Sequence, residues 1–228
     1  MTTTPSFDLR IDQPPQTLRE IVLDRMRGAI IAGHFAAGDR LVERTLCEQM
    51  GVSRTIVREV IRHLESEGLV AIQHNRGPIV ATLDWPQARQ IYDIRLLLEG
   101  RAARACAEVA NAATGRELRA ALKAIKVAHS AGEGLALYGA TARFYEIIFR
   151  HAGHDIAWEI VQRLNGRISR LRALTLSSTA REIPGPMRME RICAAIEAGD
   201  ADAAEEAVRL HLTEASALAK SLLTEESA

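Results

Sequence analysis

Arg54, Thr55, Arg58 and Arg62 are the side chains in this sequence best suited to recognition chemistry. Thr55, Arg58 and Arg62 recur at i, i+3 and i+7, so on a helix they share a face, with Arg54 in the first turn. Val57, Val60, Ile61 and Leu64 fall at i, i+3, i+4 and i+7 and form a separate apolar stripe. Ser53 precedes both faces as a cap that accepts a hydrogen bond from a free backbone N–H, and Gly68 stands where such a helix would stop. A guanidinium can grip guanine through two parallel hydrogen bonds, and a threonine can donate to a phosphate or meet a thymine methyl. Those residue types at a helix N-terminus suit a helix that reads a DNA major groove. Taken alone, an arginine-bearing helix reads first as a solvated basic face. The elements that position it decide between the two.

Upstream, the periodicity predicts a helix over Leu18–Ala32, with Ile21, Val22, Met26, Ala29 and Ile30 as its apolar stripe. Gly33 stops it, and residues 34–39 make a turn. A second, shorter helix runs from about Val42 to Met50 and buries Leu46 and Met50. Gly51 and Val52 then form the short turn of a helix-turn-helix. Downstream, residues 69–73 and 78–82 are β-rich and flank His74, Asn75, Arg76 and Gly77, which predicts a hairpin with an exposed arginine at its tip. Three helices and a β-hairpin make a winged helix-turn-helix, whose wing would touch the DNA backbone or a minor groove.

Residues 18–83 resemble the DNA-binding domain of the GntR family of bacterial transcription regulators. The resemblance is carried by Ala29-Ile-Ile-Ala-Gly33, Gly38-Asp-Arg-Leu41, Leu46, Ser53-Arg-Thr-Ile-Val-Arg-Glu59, Leu64-Glu-Ser-Glu-Gly-Leu-Val70 and Asn75-Arg-Gly77. It departs at Ala37, where the family usually has proline, which loosens a turn away from the DNA. By that resemblance, DNA contacts fall to Arg44 in the second helix, to Ser53, Arg54, Thr55 and Arg58, and to His74, Arg76 and Gly77 in the wing. Gly77 would let the wing backbone approach closely. Arg62 lies farther along and is as readily a surface partner of Glu59 or Glu65 as a phosphate contact.

Composition bounds the reading without carrying it. The chain has 228 residues, with 29 basic and 29 acidic side chains and a formal net charge of zero. That length fits two domains. Basic and acidic groups also balance within residues 1–82, so no basic footprint marks a nucleic-acid domain; local arrangement makes the case that net charge does not. Tight DNA binding is therefore expected only from two modules on a symmetric operator, with marked salt dependence. Cys47, Cys106 and Cys193 are widely spaced and form no CxxC motif, as expected of buried thiols in a reducing cytoplasm. Neither a signal peptide nor an apolar run long enough for a bilayer is seen.

From Asp84 onward nearly every signal is helical. Asp84-Trp-Pro86 opens a helix to about Val109. Thr114-Gly-Arg-Glu117 has capping-box spacing and opens another through Ile125. Helices follow over Leu135–Arg150, Ile156 to about Thr175, and about Arg188–Ala198 after Pro184 and Pro186, and a last one runs from Asp200 through Leu218. The expected fold is mainly α: a mobile arm over 1–15, a winged helix-turn-helix over 16–83, and an all-α antiparallel bundle over 84–224 with a tail fraying after about Thr224. Such a bundle has an interior able to hold a small molecule.

This second half is similar to the FCD ligand-sensing domain of the FadR subfamily of GntR regulators. Its carriers are Ile94-Arg-Leu-Leu-Leu-Glu99, Phe144-Tyr-Glu146, Ile192-Cys-Ala-Ala-Ile-Glu-Ala-Gly-Asp200, Ala203, Ala204 and His211-Leu212. Many such domains hold a divalent metal through one aspartate and three histidines, and the metal holds a carboxylate effector. Carried over by position, those ligands fall on Thr141, Tyr145, Met189 and His211. A hydroxyl, a phenol and a thioether do not replace a carboxylate and two imidazoles, so no bound metal is expected. Arg95, Tyr145 and His211 would then have to orient an effector, such as a carboxylate metabolite, by themselves. Each has a plainer reading, Arg95 as the i+4 partner of Glu99 and His211 as a hydrogen-bonded core histidine. His151 and His154 read as capping or solvated residues.

The function that follows is a cytoplasmic, homodimeric, ligand-responsive DNA-binding regulator, a repressor by the family's habit, acting on an inverted-repeat operator. A second reading keeps the DNA binding and makes the helical half only a dimerisation scaffold. An enzyme is not expected: no Ser-His-Asp set, paired carboxylate motif or Gly-rich phosphate loop is present.

Overall fold

The computed structural model describes residues 16–178 and 183–225. The expected N-terminal arm and the last three residues of the tail lie outside them. The winged portion consists of α1 (Leu18–Ile31), α2 (Glu43–Met50), α3 (Arg54–Ser66), β1 (Val70–Gln73) and β2 (Gly77–Val80). The helical portion consists of α4 (Trp85–Val109), α5 (Ala112–Ser130), α6 (Gly134–His151), α7 (Asp155–Arg167), α8 (Ser169–Ser177), α9 (Gly185–Glu197) and α10 (Ala201–Glu225). The expected fold class is therefore the observed one.

Local chemistry explains the boundaries of the winged portion. Thr17 and Glu20 form a reciprocal capping box at the start of α1. Gly51, at φ 66° and ψ 33°, ends α2 in the left-handed conformation that glycine adopts without a Cβ penalty. Ser53 then caps α3 by accepting a hydrogen bond from the Ile56 amide at 3.4 Å. Met26, Leu46, Val57, Val60 and Leu64 are buried in one core shared by the three helices. Burying each such side chain contributes roughly 1.5–3 kcal/mol, enough to fix the rotation of α3 about its axis. Two apolar expectations shift slightly: Ile21 is exposed while its neighbours Val22 and Leu23 are buried, and Met50 is only half-buried.

The hairpin pairs Val70 with Val80 and Gln73 with Gly77 in antiparallel register. Asp39 supports the turn before it by accepting a hydrogen bond from the Ala36 amide at 2.7 Å, so Ala37 stands in a turn that is held by a side chain.

In the helical half, three expected boundaries are corrected. The helix expected as continuous from Ile156 to Thr175 is two helices, broken at Ile168 (φ −108°, ψ 15°). Asn111, not Thr114, caps α5; it accepts hydrogen bonds from the Ala113 and Thr114 amides, and Thr114 takes the third position of the box. A single side chain with a free carbonyl one turn earlier outcompetes the Thr114–Glu117 spacing, and Glu117 instead pairs with Arg150 across to α6. Finally, α9 begins at Gly185, so Pro186 lies within its first turn, where a missing N–H costs nothing.

The core of the bundle gathers Cys106, Leu118, Ile125, Phe144, Ile148, Phe149, Ile192 and Val208 from α4, α5, α6, α9 and α10. A smaller cluster joins Ile91 and Tyr92 of α4 to Ile168 and Leu171 and to Ala215 and Ala219 of α10. Tyr138 packs against both the bundle core and the winged core, so the two halves share an apolar seam.

Candidate functional site

The apolar stripe of α3 is buried, and the polar face expected opposite it is exposed. With Val57, Val60, Ile61 and Leu64 turned into the core, Arg54, Thr55, Arg58 and Arg62 remain exposed on the far side of α3. Arg44 on α2 and Ser53 at the cap are exposed beside them. The wing presents His74 and Arg76 at its tip, both exposed.

The Arg58 Nε lies 2.9 Å from both carboxylate oxygens of Glu43, which joins the first turn of α2 to the middle of α3. The contact raises the guanidinium pKa through its hydrogen bond and charge. The pair is exposed and screened by solvent, so it contributes little to stability. At the wing tip, Asn75 has φ 65° and Gly77 has φ 79°. No atom lies within 4 Å of a β-carbon built at Gly77. Glycine is required there by its backbone angle, and the space beside it is open to a partner.

The helical half carries a second polar assembly, buried rather than exposed. Arg95 and Glu99 are 2 % and 0 % exposed. They form a paired contact, Nε to Oε1 at 2.7 Å and Nη2 to Oε2 at 3.4 Å. Burial disfavours the Arg95 charge, but Glu99 and Tyr92 outweigh it and the guanidinium pKa ends above its ordinary value. Arg95 is thus engaged by Glu99, the plainer of its two expected roles.

Tyr145 and His211 do come together, with ring centroids 6.5 Å apart and planes tilted by 30°. Burial, followed by the Glu99 charge, pushes the Tyr145 pKa well above its usual range, so the phenol stays neutral. Glu99 is the neighbour of its hydroxyl, acting on it by charge and by a side-chain hydrogen bond that falls outside strict geometry.

The metal positions do not suit a divalent cation. The Thr141 hydroxyl donates to the Leu137 carbonyl at 2.8 Å, closed back on its own helix. Tyr145 holds its proton, and Met189 is packed among the apolar core residues. His211 is left as the sole imidazole of the set. Among the described residues, no group of three His, Cys, Asp or Glu side chains could hold a metal. His151 ties α6 to α5 through Thr114, Nδ1 to Oγ1 at 3.3 Å, and lies 3.4 Å from Glu117. His154 occupies the cap position of α7 without a side-chain capping bond.

Sequence reasoning missed Arg172. It is 3 % exposed, and its guanidinium sits 5.0 Å from the centre of the Tyr138 ring. A signal was present: Arg172 is four residues after Ile168 and eight after Leu164, on the apolar stripe itself. Burial and the neighbouring Arg95 lower its pKa from the ordinary arginine value.

A winged helix-turn-helix with an open recognition face, joined to a helical bundle with a polar interior, defines a two-part transcription regulator. The chain belongs to the GntR family: residues 18–80 match the bacterial regulatory proteins of the gntR family and residues 90–214 match the FCD domain. It is 25% identical over 217 residues to the HTH-type transcriptional repressor RspR of Escherichia coli K12, covering 94% of each chain. It is 29% identical over 198 residues to an HTH-type transcriptional regulator in an unstable DNA locus of Streptomyces ambofaciens, covering 86% of this chain and 83% of that one. Among solved structures, a transcriptional regulator from Rhodococcus sp. RHA1 shares the fold with a TM-score of 0.72 at 24% identity, over 88% of this chain and 96% of its own. Escherichia coli McbR/YncC does so with a TM-score of 0.74 at 21% identity, over 94% and 100%. The relatives are regulators, and the chain is not an enzyme. Among the described residues, no helix is long and apolar enough to cross a membrane.

Proposed function

We propose that this chain is a homodimeric repressor of the bacterial cytoplasm that binds an inverted-repeat operator and is tuned by an effector in its helical half. The division we propose is a winged helix-turn-helix over 16–83 and an effector and dimerisation domain over 84–224. One observation carries the DNA reading: α3 is locked by its buried stripe while Arg54, Thr55 and Arg58 stay exposed beside the wing residues His74 and Arg76. In this reading Ser53, Arg54, Thr55 and Arg58 enter the major groove, Arg44 meets a phosphate, and His74, Arg76 and Gly77 bring the wing to the backbone or minor groove.

A dimer is supported by an exposed apolar face on the helical half. Leu97 is 69 % and Ile156 76 % exposed, with Ile94 and Ile160 beside them on α4 and α7. A patch of this kind marks a protein contact, and a twofold pair would supply the two half-sites that a palindromic operator needs.

The test is selection of bound fragments from random DNA, followed by anisotropy titration. The expected result is an inverted repeat, with affinity falling steeply as salt rises. Arg54→Ala should weaken specific binding by roughly 5- to 150-fold, the equivalent of about 1–3 kcal/mol for a base-edge pair. Selected DNA with no shared sequence would refute the proposal.

For the effector, Arg95, Tyr145 and His211 are the proposed contacts. The Arg95–Glu99 pair favours the alternative, in which the helical half is only a scaffold. A thermal-shift screen of carboxylic acids and acyl-CoA esters separates the two. A saturable hit that alters operator affinity supports the effector, and uniform silence supports the scaffold.

A further inference from the structure

Where the two halves of the chain meet, a cleft of about 670 Å³ opens between α1 and α3 of the winged half and α6 and α7 of the helical half. Its size is that of a small-molecule site, and such sites favour junctions between structural units. The walls meet where Gly166 lies against the Glu67 carbonyl. The charged side chains lining the cleft balance, Arg27 and Arg163 against Glu67 and Glu159. Arg27 and Glu67 hold one another at 2.9 and 2.7 Å, and His63 lies 3.2 Å from the same carboxylate. The lining therefore offers an ion no excess charge to match.

The helical wall is aromatic and carries one unanswered polar group. Tyr138 and Trp158 line it, both half-buried. Arg172 backs the Tyr138 ring at 5.0 Å, and Phe149 backs Trp158 with centroids 5.3 Å apart, so both rings are held from behind. Asn165 also lines the cleft; it is 5 % exposed, and its Oδ1 is buried with no hydrogen-bond partner among the described residues. A buried acceptor without a donor is costly. The amide turns about a broad terminal torsion, so its carbonyl can be presented to an occupant of the cleft. A planar amide offers an acceptor and donors side by side, the pattern that meets the amino group and ring nitrogen on the edge of a purine.

We propose that this cleft binds an uncharged, planar nitrogen heterocycle with an N–H donor beside a ring acceptor, a purine base being the simplest such ligand. Asn165 takes its hydrogen-bonding edge, and Tyr138 and Trp158 bury its rings. None of Arg95, Tyr145 and His211 lines the cleft, so the site does not rest on the effector contacts proposed above. It touches both halves of the chain, and Tyr138 packs against both of their cores. An occupant held by α3 and α7 together favours one placement of the winged half over others, the differential affinity that regulation requires.

The experiment follows the fluorescence of Trp158 in the full chain. The sequence has two tryptophans, and Trp85→Phe leaves Trp158 to report alone. Adenine, adenosine and AMP are titrated in parallel, with benzoate as a ringed anion that lacks an N–H donor. The expected result is saturable quenching by adenine and adenosine, AMP binding no tighter than adenosine, and no response to benzoate. In the same background, Asn165→Leu removes the amide at similar volume. It should raise the half-saturating concentration about tenfold or more and melt no lower, because an unpaired buried acceptor is gone. Should that variant not fold, Ala142→Phe fills the cleft from α6 and should abolish the quenching.

No saturable quenching by adenine or adenosine, tighter binding of AMP or of benzoate, or quenching unaltered in Asn165→Leu or Ala142→Phe would overturn the proposal. Ile156 and Ile160, of the apolar face assigned above to a second copy, also line the cleft, and a copy that filled it would give the first of these outcomes. Saturable binding that leaves operator affinity unchanged keeps the site and refutes its regulatory consequence. The carboxylate screen above reports on the interior contacts independently.

Discussion

Gly166 of α7 sits against the backbone carbonyl of Glu67, the residue that caps α3; a β-carbon at 166 would lie 1.7 Å from that oxygen. The contact is reinforced on the other side, where a β-carbon at Gly68 would lie 2.5 Å from the Cγ of Arg167. Arg27 of α1 fixes Glu67 from within the winged half through two bonds of 2.9 and 2.7 Å. The end of α3 is therefore docked beside the break between α7 and α8.

Replacing Gly166 tests this docking by the sign of its effect. In an open helix, glycine to alanine stabilises by roughly 1 kcal/mol. Here the added methyl must push α7 away from α3, and overpacking costs about 1–3 kcal/mol. Gly166→Ala should lower the urea midpoint and speed proteolysis between the halves. A raised midpoint would show that the close approach is not maintained in solution.

Glu43 restrains an arginine proposed to meet DNA. Its carboxylate holds Arg58, and it also places a negative charge where a phosphate would come. Glu43→Gln should tighten DNA binding severalfold and leave stability nearly unchanged, as for an exposed pair. Anisotropy titrations at two salt concentrations measure both the gain and its screening. Weaker binding would mean that the pair positions Arg58 for its contact.

The winged half was legible because its rules are local. Ser53, Gly51 and Gly68 mark element ends by capping and backbone conformation, and the 57–60–61–64 stripe fixes which face of α3 is exposed. The helical half was legible as helices but less so in its ends. The break at Ile168 occurs amid good helix formers, and no proline or glycine stands at the break itself, although Gly166 precedes it by two residues. Beside the break α7 packs on the end of α3, a contact between residues about a hundred positions apart that no local signal encodes. Arg172 was hidden for the opposite reason: its place on the buried stripe was readable, but sequence gives an arginine there no partner. The Arg95–Glu99 pair was readable, being an i, i+4 spacing on one helix.

Two of the thiols are protected by their surroundings. Burial pushes Cys106 up to about 11, and burial together with Glu197 pushes Cys193 up to about 12, from an ordinary value of 9.0. Alkylation at pH 8 should label Cys47, which is half-buried, well before the other two. The sign for stability follows. In the unfolded chain both thiols ionise above about pH 9, while in the folded chain they stay protonated until about pH 11–12. Their contribution is complete below pH 9 and is lost as pH rises through that window. Mass spectrometry of native and urea-unfolded protein checks the labelling; equal rates at all three sites in the native state would contradict it.

Glu99 is the only buried carboxylate among the described residues, and it faces two buried guanidiniums. Glu99→Gln keeps the shape and removes the charge, leaving Arg95 and Arg172 uncompensated together. Breaking one side of a buried pair costs about 3–5 kcal/mol, so the urea midpoint should fall sharply. Adding Arg172→Met to the same chain removes one of the stranded cations and should restore part of the loss, a non-additivity that distant sites do not show. Strict additivity of the two substitutions would place Arg172 outside the electrostatic reach of Glu99.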